Sequence, residues 1–299
     1  MNRKVFFKNG YVAALSAYVF WGFTPLFWKL LTQVPAIEIL AHRVIWSFPF
    51  LLWLVYRRAE WDVLRTVLKN PRRAVPYVLS ALLLAVNWYT YIWAVNNAFI
   101  VEASLGYFIN PLVNVFLGML FLKERLRAVQ WLALLVAFGG VGYLAFSYGQ
   151  VPWISLILAT TFSLYGLLRK TGKLNALDGL TVEMAALILP ALILLGALIP
   201  VSHPSPLEHA AWEYGALIFT GAVTALPLLW FAYGARRITL SALGFMQYIA
   251  PTMQFLLGVF LYNEVFSRQK FIGFAFIWGA LILYSVENIL YLSRKGPLK

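Results

Sequence analysis

One arginine of this 299-residue chain lies inside a long apolar stretch, where a charge is costly. Arg43 follows the predicted start of that stretch by about seven residues, roughly 10 Å along a helix that rises about 1.5 Å per residue. An arginine at that depth in a membrane faces other helices or water, and it marks a functional site or an ion pair. Two interpretations stay open: Arg43 holds an anionic or zwitterionic solute, or it pairs structurally with Glu102.

Side-chain amides and aromatic rings recur in two apolar stretches of the first half and again in the second half. Aromatic rings suit the binding of an organic solute, since they offer apolar surface and cation–π contact. The alternative is that the amides only hydrogen-bond neighbouring helices to one another. The predicted solute-binding residues are Arg43, Asn87, Trp88, Tyr107, Asn110, Gln247 and Tyr248.

A motif of proline, side-chain amide, glycine and glutamate occurs twice at one offset, over residues 110–124 and 250–264. Pro111 and Pro251 each remove a backbone donor and free a carbonyl four residues earlier. Such free groups are tolerated at membrane depth only beside protein or a water-filled cavity. Structural or gating roles are therefore predicted for Glu102, Pro111, Asn114, Pro251 and Gln254.

The composition is that of a membrane protein. Hydrophobic residues make up 62% of the chain, charged residues 12%, and the mean hydropathy is +0.77, whereas a soluble domain averages roughly a quarter charged residues. The net charge of +13 falls mostly in short connections between apolar runs, which indicates orientation by the positive-inside rule rather than nucleic-acid binding. Cysteine is absent, so disulfides and thiolate metal sites are excluded.

Ten stretches reach the roughly 20 apolar residues that a spanning helix needs. They are predicted at 11–31, 37–56, 75–95, 100–122, 128–147, 152–169, 180–200, 212–234, 239–262 and 270–291. The basic connections place both termini in the cytoplasm. An odd number of helices per half turns the second half over in the membrane, which gives inverted repeats.

We therefore predict an all-α integral membrane protein with ten transmembrane helices arranged as two inverted five-helix repeats. Residues 1–149 form the first repeat and residues 150–299 the second, with no soluble domain. The spans contain no central carboxylate, so no strong proton relay is predicted. His203 and His209 fall together in a connection on the outer side, where solvent exposure is expected. The sequence has no nucleotide-binding P-loop, metalloprotease motif or nucleophile elbow, so no cofactor, metal or catalytic residue is predicted.

Several strings resemble the RarD group of EamA permeases, within the drug/metabolite transporter superfamily. They lie at residues 20–22, 42–47, 87–88, 93–97, 102–114, 165–170 and 243–252. The most specific is Glu102-Ala-Ser-Leu-Gly-Tyr-Phe-Ile-Asn-Pro-Leu-Val-Asn114. The resemblance covers essentially the whole chain. It implies a ten-helix carrier of the bacterial cytoplasmic membrane, whose central cavity opens alternately to either side. Members of this group are often labelled chloramphenicol-sensitivity proteins.

The resemblance and the residues together predict a secondary active transporter, acting as an exporter of a small organic solute such as an amino acid, metabolite or drug. Its predicted partners are that solute and the lipid bilayer, without nucleic acid, and it is expected to act as a monomer or homodimer. Two alternatives from other classes are a membrane-embedded lipid-modifying enzyme and an accessory membrane subunit with no transport of its own.

Overall fold

The computed structural model of the chain describes residues 9–58, 61, 67, 71–97, 99–149, 151–199, 207, 209–262 and 268–295. These residues form eleven principal helices. The helices are α1 Gly10–Trp28, α2 Ala36–Arg58, α3 Val75–Asn96, α4 Ile100–Leu122, α5 Ala128–Tyr148, α6 Trp153–Thr171, α7 Ala176–Leu198, α8 Ala211–Ala235, α9 Leu240–Gln247, α10 Ile249–Tyr262 and α11 Arg268–Lys295. Helices α9 and α10 together occupy one predicted span, so the ten predicted helices are confirmed.

Nine stretches of the described chain are long and apolar enough to cross a bilayer, with α9 and α10 counted as one. The tenth helix, α6, is not among them, because it carries Ser155, Thr161, Ser163 and Arg169 within its length. Its polar side chains are accommodated because α6 packs closely against α3 and α4. The chain is therefore a multi-pass membrane protein.

Most helix packing joins the first half of the chain to the second. α1 packs against α8 and α10, while α6 packs in the corresponding way against α3 and α4. α2 contacts α7 and α8, and α3 contacts α7. Each contact thus has a counterpart with the halves exchanged, as a pseudo-twofold axis between inverted repeats requires.

The bundle has two ends, and several polar bonds join helices at one of them. We call one the Glu124 end, where α4 finishes and α9 begins, and the opposite one the His209 end, where α1 finishes and α2 and α8 begin. At the Glu124 end, the Glu124 carboxylate accepts the backbone N–H groups of Leu240 (2.6 Å) and Ser241 (2.9 Å), at the start of α9. A carboxylate there satisfies free amide donors and interacts favourably with the helix dipole.

Further polar bonds close the Glu124 end. Lys170 donates to the backbone oxygens of Ala235 (3.1 Å) and Ile238, while Arg236 reaches the oxygens of Gly172 and Leu174. Together these bonds join the ends of α6 and α8 and the connection between α6 and α7.

An ion pair joins α5 to α11 at the same end of the bundle. Arg127 donates to Glu287 through two nitrogens, and the hydrogen bond to the Glu287 carboxylate raises the pKa of the Arg127 guanidinium above its usual value.

Candidate functional site: a cavity around Arg43

A cavity of about 530 Å³ lies between α1, α2, α3, α4, α6, α8, α9 and α10. It extends from Asn110 and Gln247 in the middle of the bundle to Lys29 and Thr32, both exposed at the connection between α1 and α2. Cavities of roughly 300–1,000 Å³ are the usual size for small-molecule sites. The cavity therefore reaches the surface at the His209 end.

Arg43 projects into this cavity from α2. Its Nε donates to Thr224 Oγ1 on α8 (3.0 Å), and its guanidinium lies over the rings of Trp88 (4.4 Å) and Trp28 (5.3 Å). Among the described residues, its two terminal nitrogens have no protein acceptor. Those nitrogens, which carry four N–H groups, are available to a ligand.

The described lining of the cavity is positively charged. Arg43 and Lys29 are its charged residues, and no Asp or Glu contributes to it. Tyr91 and Tyr107 lie near Arg43 and contact each other edge to face, with 6.0 Å between ring centres. An anion with apolar groups matches this combination of cations and rings.

The buried amides form a chain between α4, α6 and α9. Asn114 donates both to Asn110 Oδ1 and to Gln247 Oε1 (3.0 Å each), while Asn110 donates to the Ala159 backbone oxygen (3.2 Å). Ser163 in turn donates to Asn110 (3.2 Å). The structure thus combines the two interpretations of these amides: Asn110 and Gln247 line the cavity, and they also bond the helices to one another.

The other predicted residues of the first half also reach the cavity. Asn87, Trp88 and Tyr107 all line it. The Asn87 amide donates to the Leu158 backbone oxygen (2.9 Å) and to Thr161 Oγ1 (3.0 Å), so it ties α3 to α6. The Trp88 ring makes a cation–π contact with the Arg43 guanidinium.

Two predicted residues are placed differently from expectation. Tyr248 is fully buried outside the cavity lining, with its hydroxyl donating to the Phe108 backbone oxygen (3.1 Å). The Arg43–Glu102 ion pair, one of the two interpretations of Arg43, is not found among the described residues. Glu102 instead accepts the backbone N–H of Ile154 (2.8 Å) at the start of α6, because a carboxylate at a helix N-terminus satisfies a free donor.

The residues given structural roles lie where helices meet. Pro251 and Gln254 line the cavity, and Gln254 donates to the Trp21 backbone oxygen (3.1 Å), joining α10 to α1. α4 continues without a break through Pro111. The second copy does break, since α9 ends at Gln247 and α10 starts at Ile249, ahead of Pro251.

Sequence reasoning missed three residues of the site. Trp28, Tyr91 and Thr224 all line the cavity and lie beside Arg43. Tyr91 follows the predicted Asn87 by about one helical turn, a spacing that could have identified it. Nothing local distinguishes Thr224 from other threonines, because its role depends on the packing of α8 against α2.

Comparisons with known proteins agree with this architecture. The pattern of the EamA-like transporter family matches residues 8–146 and again residues 151–286. The Bacillus subtilis protein "Uncharacterized transporter YojE" is 44% identical over 94% of this chain and 95% of its own length. Protein RarD of Salmonella typhimurium is 46% identical over 96% and 98%, respectively.

A "Chloramphenicol-sensitive protein RarD" of Pseudomonas aeruginosa is 30% identical over 96% of this chain and 97% of its own. A solved crystal structure aligns with 93% of this chain and 97% of its own, with a TM-score of 0.69 and 19% identity, which shows a shared fold. The chain therefore belongs to the EamA-like transporter family, in the RarD group of the drug/metabolite transporter superfamily, and is a membrane transporter.

Proposed function

We propose that this chain is a secondary active transporter that moves a small organic anion by alternating access, with Arg43 as the residue that holds the anion. The observation that carries the proposal is the unpaired guanidinium of Arg43 in a cavity whose described lining has no carboxylate. A guanidinium attracts an anion more strongly in a cavity walled by protein than in bulk water, because the effective dielectric constant is lower. A ligand carboxylate or phosphate would be such an anion.

The surroundings of Arg43 favour a bidentate ligand with an apolar part. A guanidinium bonds a carboxylate through two parallel N–H donors, a geometry that a lysine ammonium lacks. The guanidinium lies over the rings of Trp28 and Trp88, which offer apolar surface. Carboxylates of metabolites, zwitterionic amino acids and acidic drugs all have this chemistry.

Alternating access is supported by the contrast between the two ends of the bundle. The cavity reaches the surface at the His209 end, while Glu124, Lys170 and Arg236 bond helix ends together at the other end. In the proposed cycle the inverted repeats, residues 1–149 and 150–299, exchange these arrangements around a fixed site.

We further propose a location in the bacterial cytoplasmic membrane with both termini in the cytoplasm. Basic residues are concentrated in the connections that lie on the same side of the membrane as the two termini. The His209 end then faces outward, and the cavity in this structure is open to the outside. As in many related permeases, export is the proposed direction.

The test is counterflow in proteoliposomes with labelled pools of carboxylates, amino acids and amphenicol drugs. The variants are Arg43→Gln, Arg43→Lys and the matched control Arg57→Gln, which removes an exposed arginine from the last turn of the same helix. We expect saturable uptake by the unmodified protein and the control. Arg43→Gln should lose this uptake. Arg43→Lys should retain only part of the uptake, because a lysine cannot donate two parallel N–H bonds to one carboxylate.

Two outcomes would contradict the proposal. If Arg43→Gln transports like the control but is less stable, Arg43 is a structural residue. If folded protein of either orientation transports none of the pools, the chain acts otherwise, and release of a product from lipid or a requirement for a partner protein would identify the alternative class.

A further inference from the structure

A buried cluster of two carboxylates and two imidazoles lies at the His209 end. The Glu38 side chain has no exposed surface, and its Oε1 is 2.7 Å from His209 Nε2 and 3.7 Å from His42 Nε2. On its other side, His209 Nδ1 is 3.7 Å from Glu213 Oε2. The His209 side chain, expected to be solvated, is only 1% exposed, because it packs between the start of α2 and the start of α8.

The hydrogen bonds of this cluster are incomplete. Since Glu38 accepts from His209 Nε2, the neutral imidazole of His209 leaves its Nδ1 without a proton. Within the described structure neither Glu38 Oε2 nor His209 Nδ1 has a hydrogen-bond partner, and each such buried group is destabilising by about 1–3 kcal/mol. A proton bound at His209 Nδ1 would donate towards Glu213 and would turn the Glu38–His209 contact into an ion pair.

His42 is not suited to take that proton. Its Nδ1 accepts the indole N–H of Trp46 (3.0 Å), which fixes the proton of the neutral ring on Nε2. A second proton on Nδ1 would face the Trp46 donor and break this bond. His209 therefore remains as the imidazole with a free nitrogen and two neighbouring carboxylates.

The titratable groups beside His209 come from α2 and from the start of α8. α2 contributes Glu38 and His42, and the start of α8 contributes Glu213 and the Tyr214 ring, 5.7 Å away. The connection between α1 and α2 supplies the apolar Leu31 and Val34 beside Leu217.

Other titratable groups of this region belong to the cavity or lie outside the described residues. Lys29 and Arg43 belong to the cavity lining. Residues 185–199 contain no titratable side chain. His203 and Glu208 lie outside the described residues.

The cluster shares its helix pair with the solute site. α2 carries Glu38 and Arg43, while α8 carries Glu213 and Thr224, so the contacts Glu38–His209 and Arg43–Thr224 both join α2 to the α8 region. Because both contacts join the same helices, we expect a change in charge at one to alter the packing at the other. This is the arrangement needed for two ligands to bias one conformational equilibrium.

We propose that Glu38, His209 and Glu213 form a proton-binding site whose occupancy fixes the start of α2 against α8 and thereby couples solute transport to protons. This inference rests on the proposed transport function. The bound proton comes from water at the His209 end and resides on His209 Nδ1. Its binding strengthens the contact between the start of α2 and the α8 region, and its loss weakens that contact.

The first test needs no solute, so it stays informative if transport is not detected. Because the chain has no cysteine, spin labels can be placed at Gln33→Cys and Ala211→Cys, two exposed positions that flank the cluster. We expect the distance distribution between the labels to change with pH. The change should be lost in His209→Gln and retained in the matched variant His42→Gln.

A milder variant keeps the test informative if His209→Gln misfolds. Glu213→Gln leaves the Glu38–His209 contact intact but removes one carboxylate, so protonation becomes harder and the response should shift to more acidic pH. An unchanged response in Glu213→Gln or His209→Gln, or no response in the parent protein, would overturn the site. The labels could respond to pH while the flux of the carboxylate pool does not depend on a pH gradient. That result would overturn the coupling but leave transport itself established.

Discussion

Gly221→Ala is expected to separate α2 from α8 at their closest approach. A methyl group built on Gly221 would lie 2.3 Å from the Trp46 carbonyl carbon and 2.4 Å from its oxygen. These are backbone atoms, so no side-chain rotation relieves the contact. Because carbon atoms pack at about 3.5–4.0 Å, the two backbones must move apart by more than about 1 Å.

The energetic effect follows from the bonds that cross this contact. Overpacking of a close-packed interface destabilises by about 1–3 kcal/mol. Separation of the helices also stretches the hydrogen bonds Ser47–Gly221 (3.1 Å) and Arg43–Thr224 (3.0 Å), each contributing about 1 kcal/mol. We expect a total loss of about 2–4 kcal/mol in the free energy of unfolding, and reduced transport because Arg43 loses its position.

The loss can be measured by reversible unfolding in mixed micelles with increasing SDS, with counterflow measured on the same samples. Gly215→Ala is the control, since this glycine lies on the same helix and a methyl group there meets nothing within 4 Å. The control should be neutral or more stable by up to about 1 kcal/mol, the helix preference of alanine. If Gly221→Ala is as stable and active as Gly215→Ala, α2 and α8 do not depend on a close contact at Gly221.

Three further predictions concern the polar groups that the structure buries. Arg169 Nη1 is 3.1 Å from Glu183, so Arg169→Met should lower the free energy of unfolding by about 3–5 kcal/mol by leaving this carboxylate unpaired. The double variant Arg169→Met with Glu183→Met should lose less stability than Arg169→Met alone. Simple additivity of the two losses in SDS unfolding would contradict this. Glu124→Gln should cost about 1–3 kcal/mol in the same assay, because an amide has one acceptor oxygen for the α9 donors, and unchanged stability would count against that cap. Trp46→Phe in the His209→Gln background should restore part of the pH response of the spin labels, since it frees the other imidazole of the cluster; a response that stays absent would argue against the role given to Trp46.

The sequence predicted the helices well because apolar length and basic connections determine how a chain crosses a membrane. It also located Arg43, since a charge in an apolar stretch stands out. It did not predict the surroundings of Tyr248 or Glu102, because the direction of a side chain depends on how each helix is rotated against its neighbours. His209 was misplaced for a similar reason: its burial comes from a contact with Glu38, 171 positions away.

The exchange of packing partners between the halves has a consequence for how the chain is made. Glu102 and Asn110 find hydrogen-bond partners on α6, at Ile154 and Ala159, and Asn87 likewise bonds α6. During synthesis α1–α5 enter the bilayer before α6 is made. Until then the polar side chains of these helices lack their α6 hydrogen-bond partners. The arrival of α6 is then the committing step of assembly, and a chain that stops after α5 should be recognised as unfinished and degraded.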